Sequence, residues 1–351
     1  MWSMKLRRFW ITLAVVIMAG LMTCAALIIY VDPFFHYHAP LSWYPYVVDD
    51  QVDMNPGLAR HMDYDSVLLG SSMTVSFDTS WFKDEMGLAT QKLSYNGAFP
   101  KDQANIMDIL FDAKGESVKQ VFLGIDELNY SSDIEQTKYP VTDYLYDKNL
   151  LNDVKYIFNK DVLLDYVLRP VVDQKDKSDW NNIYKMWWQP IHYNFPNVRL
   201  YFEKAEKVAD TTPVEAYLES IGKNLDANII PYIEAYPDTK FTIFYPPYSI
   251  LYWYNADRRS QIDMIVQKYD YMTRRLLQYD NVEVFFFQNN EEIICDFNNY
   301  ADYTHYSPEV CHYIVKCFAD GDHKVTVDNL DEELNTLSNL AHNYDYDSID
   351  I

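Results

Sequence analysis

The N-terminal part of the chain contains a run of 23 residues without a charged side chain, which begins at Phe9 and ends at Val31. At a rise of about 1.5 Å per residue, a helix of this length spans the roughly 30 Å hydrocarbon core of a bilayer. We therefore predict that residues 1–31 form a short cytoplasmic tip and one transmembrane anchor.

The charges that flank this run predict its orientation. Lys5, Arg7 and Arg8 precede it, whereas Asp32 and many further acids follow it. Positive charges accumulate on the cytoplasmic side of membrane helices. The protein is thus expected to be a single-pass protein of the cell membrane, with its N-terminus in the cytoplasm and its main domain outside.

A cleaved signal peptide is the alternative interpretation of the same run. The residues that end at Cys24 resemble a lipoprotein cleavage box, although Thr23 is a poor residue just before the cysteine. The apolar run is also long for a signal core, since it continues for seven residues past Cys24. We favour a retained anchor.

The net charge of −23 argues against nucleic acid as a partner, because an acidic surface repels a phosphate backbone. The four cysteines are Cys24 in the apolar run and Cys295, Cys311 and Cys317 beyond it. They lack the Cys-x-x-Cys spacing of metal ligands, and at most one disulfide can form among the last three. We expect buried, small hydrophobic side chains.

Residues 32–62 are rich in proline and aromatic side chains and have no helical or alternating period. Aromatic residues beside a span usually lie at the headgroup level, so we predict a stalk along the membrane surface. His36 and His38 are possible metal ligands, but no third ligand is nearby, and we expect no metal site.

Strand and helix patterns alternate through most of residues 63–320. The predicted strands are residues 65–69, 90–95, 119–123, 240–245 and 282–287, and the predicted helices are residues 78–86, 101–113, 213–236, 257–278 and 308–318. This alternation indicates an α/β fold with a parallel sheet of about five strands. Residues 128–212 are predicted to be an α-rich insertion, and residues 321–351 an acidic tail with a solvated helix and a frayed end.

Polar residues that can support nucleophilic catalysis follow several predicted strands. Ser72 ends the Gly-Ser-Ser turn after the first strand, and Asp302 and His305 lie in a loop before the last predicted helix. A serine needs a base to take its proton and an acid to orient that base. Because ligands bind at the carboxyl ends of parallel strands, we expect these side chains to meet there. A plain tight turn and a surface histidine are the alternative.

These motifs, in this order, resemble the SGNH (GDSL-like) hydrolase superfamily, especially its membrane-anchored branch, which includes teichoic-acid D-alanylation and alginate O-acetylation proteins. The resemblance covers roughly residues 63–127 and 238–320, and it implies a three-layer, flavodoxin-like α/β fold with about five parallel strands. It implies that Ser72 is the nucleophile, that Gly97 matches the glycine of the second block, and that Asp302 and His305 form the closing Asp-x-x-His. Ser71 replaces the usual aspartate, and the segment that begins at Tyr245 and ends at Ser249 also resembles this branch.

One position departs from the family. The third block usually carries an asparagine that donates a hydrogen bond to the oxyanion, whereas this chain has Asp126. An ionised carboxylate cannot donate and repels a developing negative charge. The oxyanion hole is therefore expected to use the backbone N–H groups of Ser72 and Gly97, to keep Asp126 protonated by burial, or to recruit Asn96. A slow or inactive site is the remaining possibility.

The resemblance implies an O-acyltransferase or esterase that acts, without a cofactor, on O-acyl groups of a cell-surface polysaccharide or wall polymer. A multispanning membrane acyltransferase is a possible partner. A non-catalytic assembly protein of such a modification system is the alternative. Four aromatic residues are candidates for stacking on sugar rings, although core or membrane-facing roles are more common for these residue types. They are Trp180, Trp187, Trp188 and Tyr193.

Overall fold

The computed structural model describes residues 2–184 and 191–351. The chain divides into two compact units, one made of Met1–Met62 and Val141–Trp180 and the other of Asp63–Pro140 and Asn181–Ile351. The helices of the described chain are α1 (Trp2–Val31), α2 (Gln51–His61), α3 (Ser80–Met86), α4 (Pro100–Lys114), α5 (Asp143–Tyr146), α6 (Val154–Ile157), α7 (Arg169–Val172), α8 (Phe195–Tyr201), α9 (Val214–Asn228), α10 (Ile230–Ala235), α11 (Ile250–Arg258), α12 (Ile262–Leu276), α13 (Glu291–Ile294), α14 (Pro308–Asp320) and α15 (Leu330–Asn343). A π-helical segment, Val162–Leu168, precedes α7.

The first unit contains one helix, α1, that is long and apolar enough to cross a membrane, and the described chain has no second one. Most of its side chains are exposed, including Val15, Ile17 and Met22. At about 1.5 Å per residue, its 30 residues extend roughly 45 Å. A long helix with an exposed apolar surface matches the requirement for a transmembrane segment.

Residues 32–62, which were predicted to form a stalk along the membrane surface, pack with residues 141–180 in the same compact unit. The aromatic side chains of this segment form a core: Phe34 stacks on Tyr156, and Phe35 contacts Tyr46 edge to face. Residues 51–61 also form α2, capped by the Asp50 carboxylate. The aromatic packing lacks any helical period, which is why the sequence pattern did not reveal it.

The second unit is built around a sheet, and its strands in the described chain are β1 (Ser66–Leu69), β2 (Thr90–Lys92), β3 (Gln120–Gly124), β4 (Lys240–Tyr245), β5 (Val282–Phe286) and β6 (Lys324–Val325). Their order is β2-β1-β3-β4-β5-β6. Neighbouring strands from β2 to β5 are parallel, and β6 is antiparallel to β5. The parallel strands therefore end at one edge of the sheet.

Helices cover both faces of this sheet, which gives the predicted α/β layering. Phe122 of β3 and Phe244 of β4 contact Phe318 of α14 on one face. On the other face, Phe241 of β4 contacts Phe111 of α4. Successive side chains of a strand point to opposite faces, so the aromatic residues of β3 and β4 contact helices on both sides of the sheet. Their buried strands read as continuous apolar runs in the sequence for this reason.

Residues 321–351 were predicted to form a solvated helix with a frayed end, but they contain a paired strand and a helix with a buried face. This segment supplies β6, which pairs with β5, and α15, which packs against α12. The buried residues of α15 recur at spacings of three or four, as expected for a helix with one apolar face. They are Leu330, Leu334, Leu337 and Ala341. The sheet consequently has one strand more than the five predicted.

Two further predictions differ from the structure. The helix predicted over residues 257–278 begins at Ile262, and residues 250–258 form a separate helix, α11. The predicted insertion, residues 128–212, is divided between the units, because residues 141–180 belong to the first one. Cys295, Cys311 and Cys317 are unbridged, and Cys311 and Cys317 are buried.

Candidate active site

A sharp turn at the end of β1 presents Ser72. Gly70 has φ +153°, and a Cβ atom at this position would come within 2.5 Å of Thr74 Cγ2, so the turn requires glycine. The Ser71 hydroxyl accepts a hydrogen bond from the Met73 N–H at 3.2 Å and caps the 3₁₀ turn Ser72–Thr74. Ser72 thus stands at the carboxyl end of a buried strand, at the start of a fixed turn.

The loop before α14 holds Asp302 and His305 in a defined arrangement. Asp302 Oδ1 accepts hydrogen bonds from the backbone N–H groups of Thr304 and His305, each at 2.8 Å. Asp302 Oδ2 lies 2.7 Å from His305 Nδ1. Directly after this loop, the Ser307 hydroxyl caps α14, whose first residue is Pro308. The carboxylate therefore orients the imidazole and leaves Nε2 as the acceptor nitrogen.

The structure brings Ser72, His305 and Asp302 together. Ser72 Oγ lies 2.8 Å from His305 Nε2, which is within hydrogen-bond distance for proton transfer. Burial alone would raise the pKa of Asp302, but the hydrogen bonds and charge of His305 and the Thr304 N–H lower it below its usual value. About a fifth of each of the His305 and Asp302 side chains is exposed, so a substrate has access.

The turn after β2 lies against the turn after β1. The Tyr95 N–H donates to the Gly70 carbonyl at 2.9 Å, and the Ala98 N–H closes the turn on the Tyr95 carbonyl at 2.9 Å. Gly97 has φ +69°, which glycine adopts without strain. Asn96 is the other central residue of this turn. Asn96 and Gly97, both predicted for the oxyanion hole, therefore lie in one turn that adjoins the β1 turn. The Lys138 side chain lies over Gly97.

Asp126 follows β3 and is buried, with 9% of its surface exposed. The Tyr248 hydroxyl donates a hydrogen bond to Asp126 Oδ1, and the Ser71 side chain is also hydrogen-bonded to this carboxyl. Burial raises the pKa of Asp126, although these two hydrogen bonds and the nearby His305 act against the rise. Asp126 is thus coupled to the turn that carries Ser72 and to His305.

The next residue, Glu127, is fully buried and has a different environment. Its Oε2 lies 3.1 Å from Lys268 Nζ, and its Oε1 accepts a hydrogen bond from the Tyr252 hydroxyl at 2.5 Å. The Lys268 ammonium also lies 4.3 Å from the centre of the Tyr217 ring. Glu127 is therefore a charge-compensated structural anchor between β3, α11 and α12.

The structure describes two of the four predicted sugar-stacking residues, Trp180 and Tyr193. Trp180 contacts Phe35 and Tyr46 in the first unit, and Trp187 and Trp188 lie outside the described residues. Burial raises the pKa of Tyr193, in the second unit, to about 12, and Asp302 makes the smallest of the contributions in the same direction. Among the described residues, no group of three or more His, Cys, Asp or Glu side chains is placed to hold a metal ion.

Sequence reasoning missed the tyrosine partners of the two acids after β3. Tyr248 and Tyr252 are four residues apart, one helical turn, and bind the consecutive carboxyls of Asp126 and Glu127. The four-residue spacing of these two tyrosines was the sequence signal that could have identified them as partners of the two acids. Lys138 gave no such signal, because only the folded chain brings its side chain over Gly97.

Comparisons with known proteins add little to this geometry. No family model matches the chain, and no curated protein matches it. A solved structure from Streptococcus pneumonia, provisionally described as a platelet activating factor, is 13% identical, with a TM-score of 0.39 over 78% of this chain and 90% of that chain. Function has to be inferred from the site itself.

Proposed function

We propose that this protein is an SGNH-like serine acyltransferase or esterase that works through an acyl-serine intermediate. The observation that carries this proposal is the continuous hydrogen-bonded arrangement of Ser72, His305 and Asp302, with 2.8 Å between Ser72 Oγ and His305 Nε2 and 2.7 Å between His305 Nδ1 and Asp302 Oδ2. A serine, a base and an orienting acid in this order are the parts that nucleophilic catalysis requires.

The reaction proceeds in two halves. His305 Nε2 takes the proton of the Ser72 hydroxyl as Oγ attacks the carbonyl carbon of an ester or thioester. The leaving alcohol or thiol then receives that proton from His305, and Ser72 holds the acyl group. In the second half His305 deprotonates an acceptor hydroxyl, which attacks the acyl carbon, and the proton returns to Ser72 Oγ. The backbone N–H groups of Ser72 and Gly97 are the proposed oxyanion donors.

The acceptor decides between the two activities, because water yields an esterase and a sugar or polyol hydroxyl yields a transferase. We infer that the acceptor is a cell-surface polysaccharide or wall polymer, supported by an apolar helix suited to anchor the protein at an envelope membrane. A multispanning membrane acyltransferase is the proposed source of the acyl group. Tyr193 is the described candidate for contact with a sugar ring.

The activity is expected to appear as acetate release from p-nitrophenyl acetate by the full chain in detergent. Adding a neutral oligosaccharide such as maltotetraose tests the transferase, which is expected to give an O-acetylated sugar detectable by mass spectrometry. Acetate release without sugar acetylation assigns an esterase. Absence of both products with a folded sample contradicts the enzymatic proposal and favours an assembly protein.

A further inference from the structure

Two consecutive carboxyl groups beside the site have opposite electrostatic environments. Glu127 is paired with Lys268 at 3.1 Å. Among the described residues, no lysine or arginine forms an ion pair with Asp126, whose carboxyl interacts instead with the hydroxyl groups of Tyr248 and Ser71. Lys268 therefore compensates the charge of Glu127, whereas the structure shows no ion pair between Lys268 and Asp126.

Burying an unpaired carboxylate is costly, and such a group usually takes up a proton instead. The adjacent charge of Glu127 acts in the same direction as burial on the pKa of Asp126. Among the described titratable groups that interact electrostatically with Asp126, His305 can carry a positive charge, and it does so when protonated. These groups are Glu127, Tyr130, Tyr248, Tyr252, Tyr269, His305 and Tyr306.

The position of Asp126 couples its charge to the reaction. It is hydrogen-bonded to Ser71, the residue before the proposed nucleophile, and interacts electrostatically with His305. A negative charge here repels the oxyanion that forms after attack by Ser72. The positive charge that His305 gains during the reaction is already compensated by Asp302 at 2.7 Å, so a charge on Asp126 is not needed for that purpose.

We propose that Asp126 works in its protonated form and that loss of its proton switches off acyl transfer at Ser72, an inference that rests on the proposed function. Two groups therefore have to be uncharged for activity. His305 has to be neutral to accept a proton, and Asp126 has to be neutral so that it does not repel the oxyanion. Activity is expected to rise and then fall with increasing pH, with Asp126 responsible for the alkaline limb.

The test is the rate of Ser72 modification by a fluorophosphonate probe between pH 5 and 10, measured on the full chain in detergent. For Asp126→Asn, which cannot ionise, the ratio of its rate to that of the wild type is expected to rise about tenfold per pH unit above the wild-type maximum. Tyr248→Phe removes a hydroxyl that stabilises the anion, so it moves the alkaline limb to higher pH. Asp328→Asn, an exposed acid, is the matched control and gives a constant ratio.

Thermal unfolding gives a second readout that does not depend on catalysis. The pKa of Asp126 is raised in the folded protein, so the wild type loses stability as the pH rises from about 4 through that pKa. The Tm difference between Asp126→Asn and the wild type is therefore expected to grow over this range. A Tm difference that does not change with pH overturns the proposed role of Asp126 but leaves the proposed function standing. A rate ratio that stays constant while Ser72 is still labelled has the same consequence. No labelling of Ser72 at any pH overturns the proposed function as well.

Discussion

Replacing Ser72 by alanine is expected to lower the rate of p-nitrophenyl acetate hydrolysis by at least about 10⁴-fold, because it removes the group that forms the covalent intermediate. His305→Gln and Asp302→Asn are expected to cause losses of similar size, the second because the imidazole loses the partner that fixes its orientation. Initial rates at a saturating concentration of p-nitrophenyl acetate, corrected for spontaneous hydrolysis, measure these losses.

Combining the substitutions distinguishes a working triad from three independent surface residues. If the residues act as a unit, Ser72→Ala with His305→Gln is no slower than Ser72→Ala alone, because the base has no further task without the nucleophile. Ser117→Ala is the matched control, since this exposed serine precedes β3 at the opposite edge of the sheet and is expected to retain full activity. If the double variant loses activity by the product of the two single losses, the residues act independently, which would contradict a working triad.

Replacing Lys268 by methionine is expected to lower the free energy of unfolding by about 3–5 kcal/mol, because it leaves the buried Glu127 carboxylate without its cation. The side chain volume is nearly kept, so the loss reports charge and not packing. Thermal and urea unfolding of the full chain in detergent measure it. Adding Glu127→Gln to this variant removes the second charge and is expected to restore most of the loss.

An exposed ion pair provides the control for this prediction. Lys223 contacts Glu219 at 2.6 Å with both side chains more than 60% exposed. Lys223→Met is expected to change stability by only about 0.3–0.5 kcal/mol, because solvent screens such a pair. Equal effects for Lys223→Met and Lys268→Met would contradict the assignment of Glu127 and Lys268 as an anchor of the site.

Much of the sheet was predictable because a parallel strand buried on both faces leaves a short, continuous apolar run in the sequence. The segments that became β1, β3, β4 and β5 were found in this way, within one or two residues. β6 was missed since only two of its residues pair, and α15 was read as solvated because its acidic first turn masked the spacing of Leu330, Leu334 and Leu337.

The site shows the same limits. A loop position can be inferred when a residue follows a strand or precedes a capped helix, and this rule selected Ser72 and His305 as candidates. Contacts that join distant segments have no such local signal. The hydrogen bond from Tyr248 to Asp126 joins residues that are 122 positions apart in the sequence. The packing of residues 32–62 with residues 141–180 depends on aromatic side chains that follow no helical or alternating period. The catalytic role of the assembled residues remains a prediction.

The central claim, that Ser72 is a nucleophile activated by His305, is tested most directly by labelling the folded full chain with a fluorophosphonate probe and locating the adduct by peptide mass spectrometry. We expect one adduct, on Ser72, which is absent in Ser72→Ala and strongly slowed in His305→Gln. A folded sample with no adduct on Ser72, or with labelling that is unchanged in His305→Gln, would contradict the account.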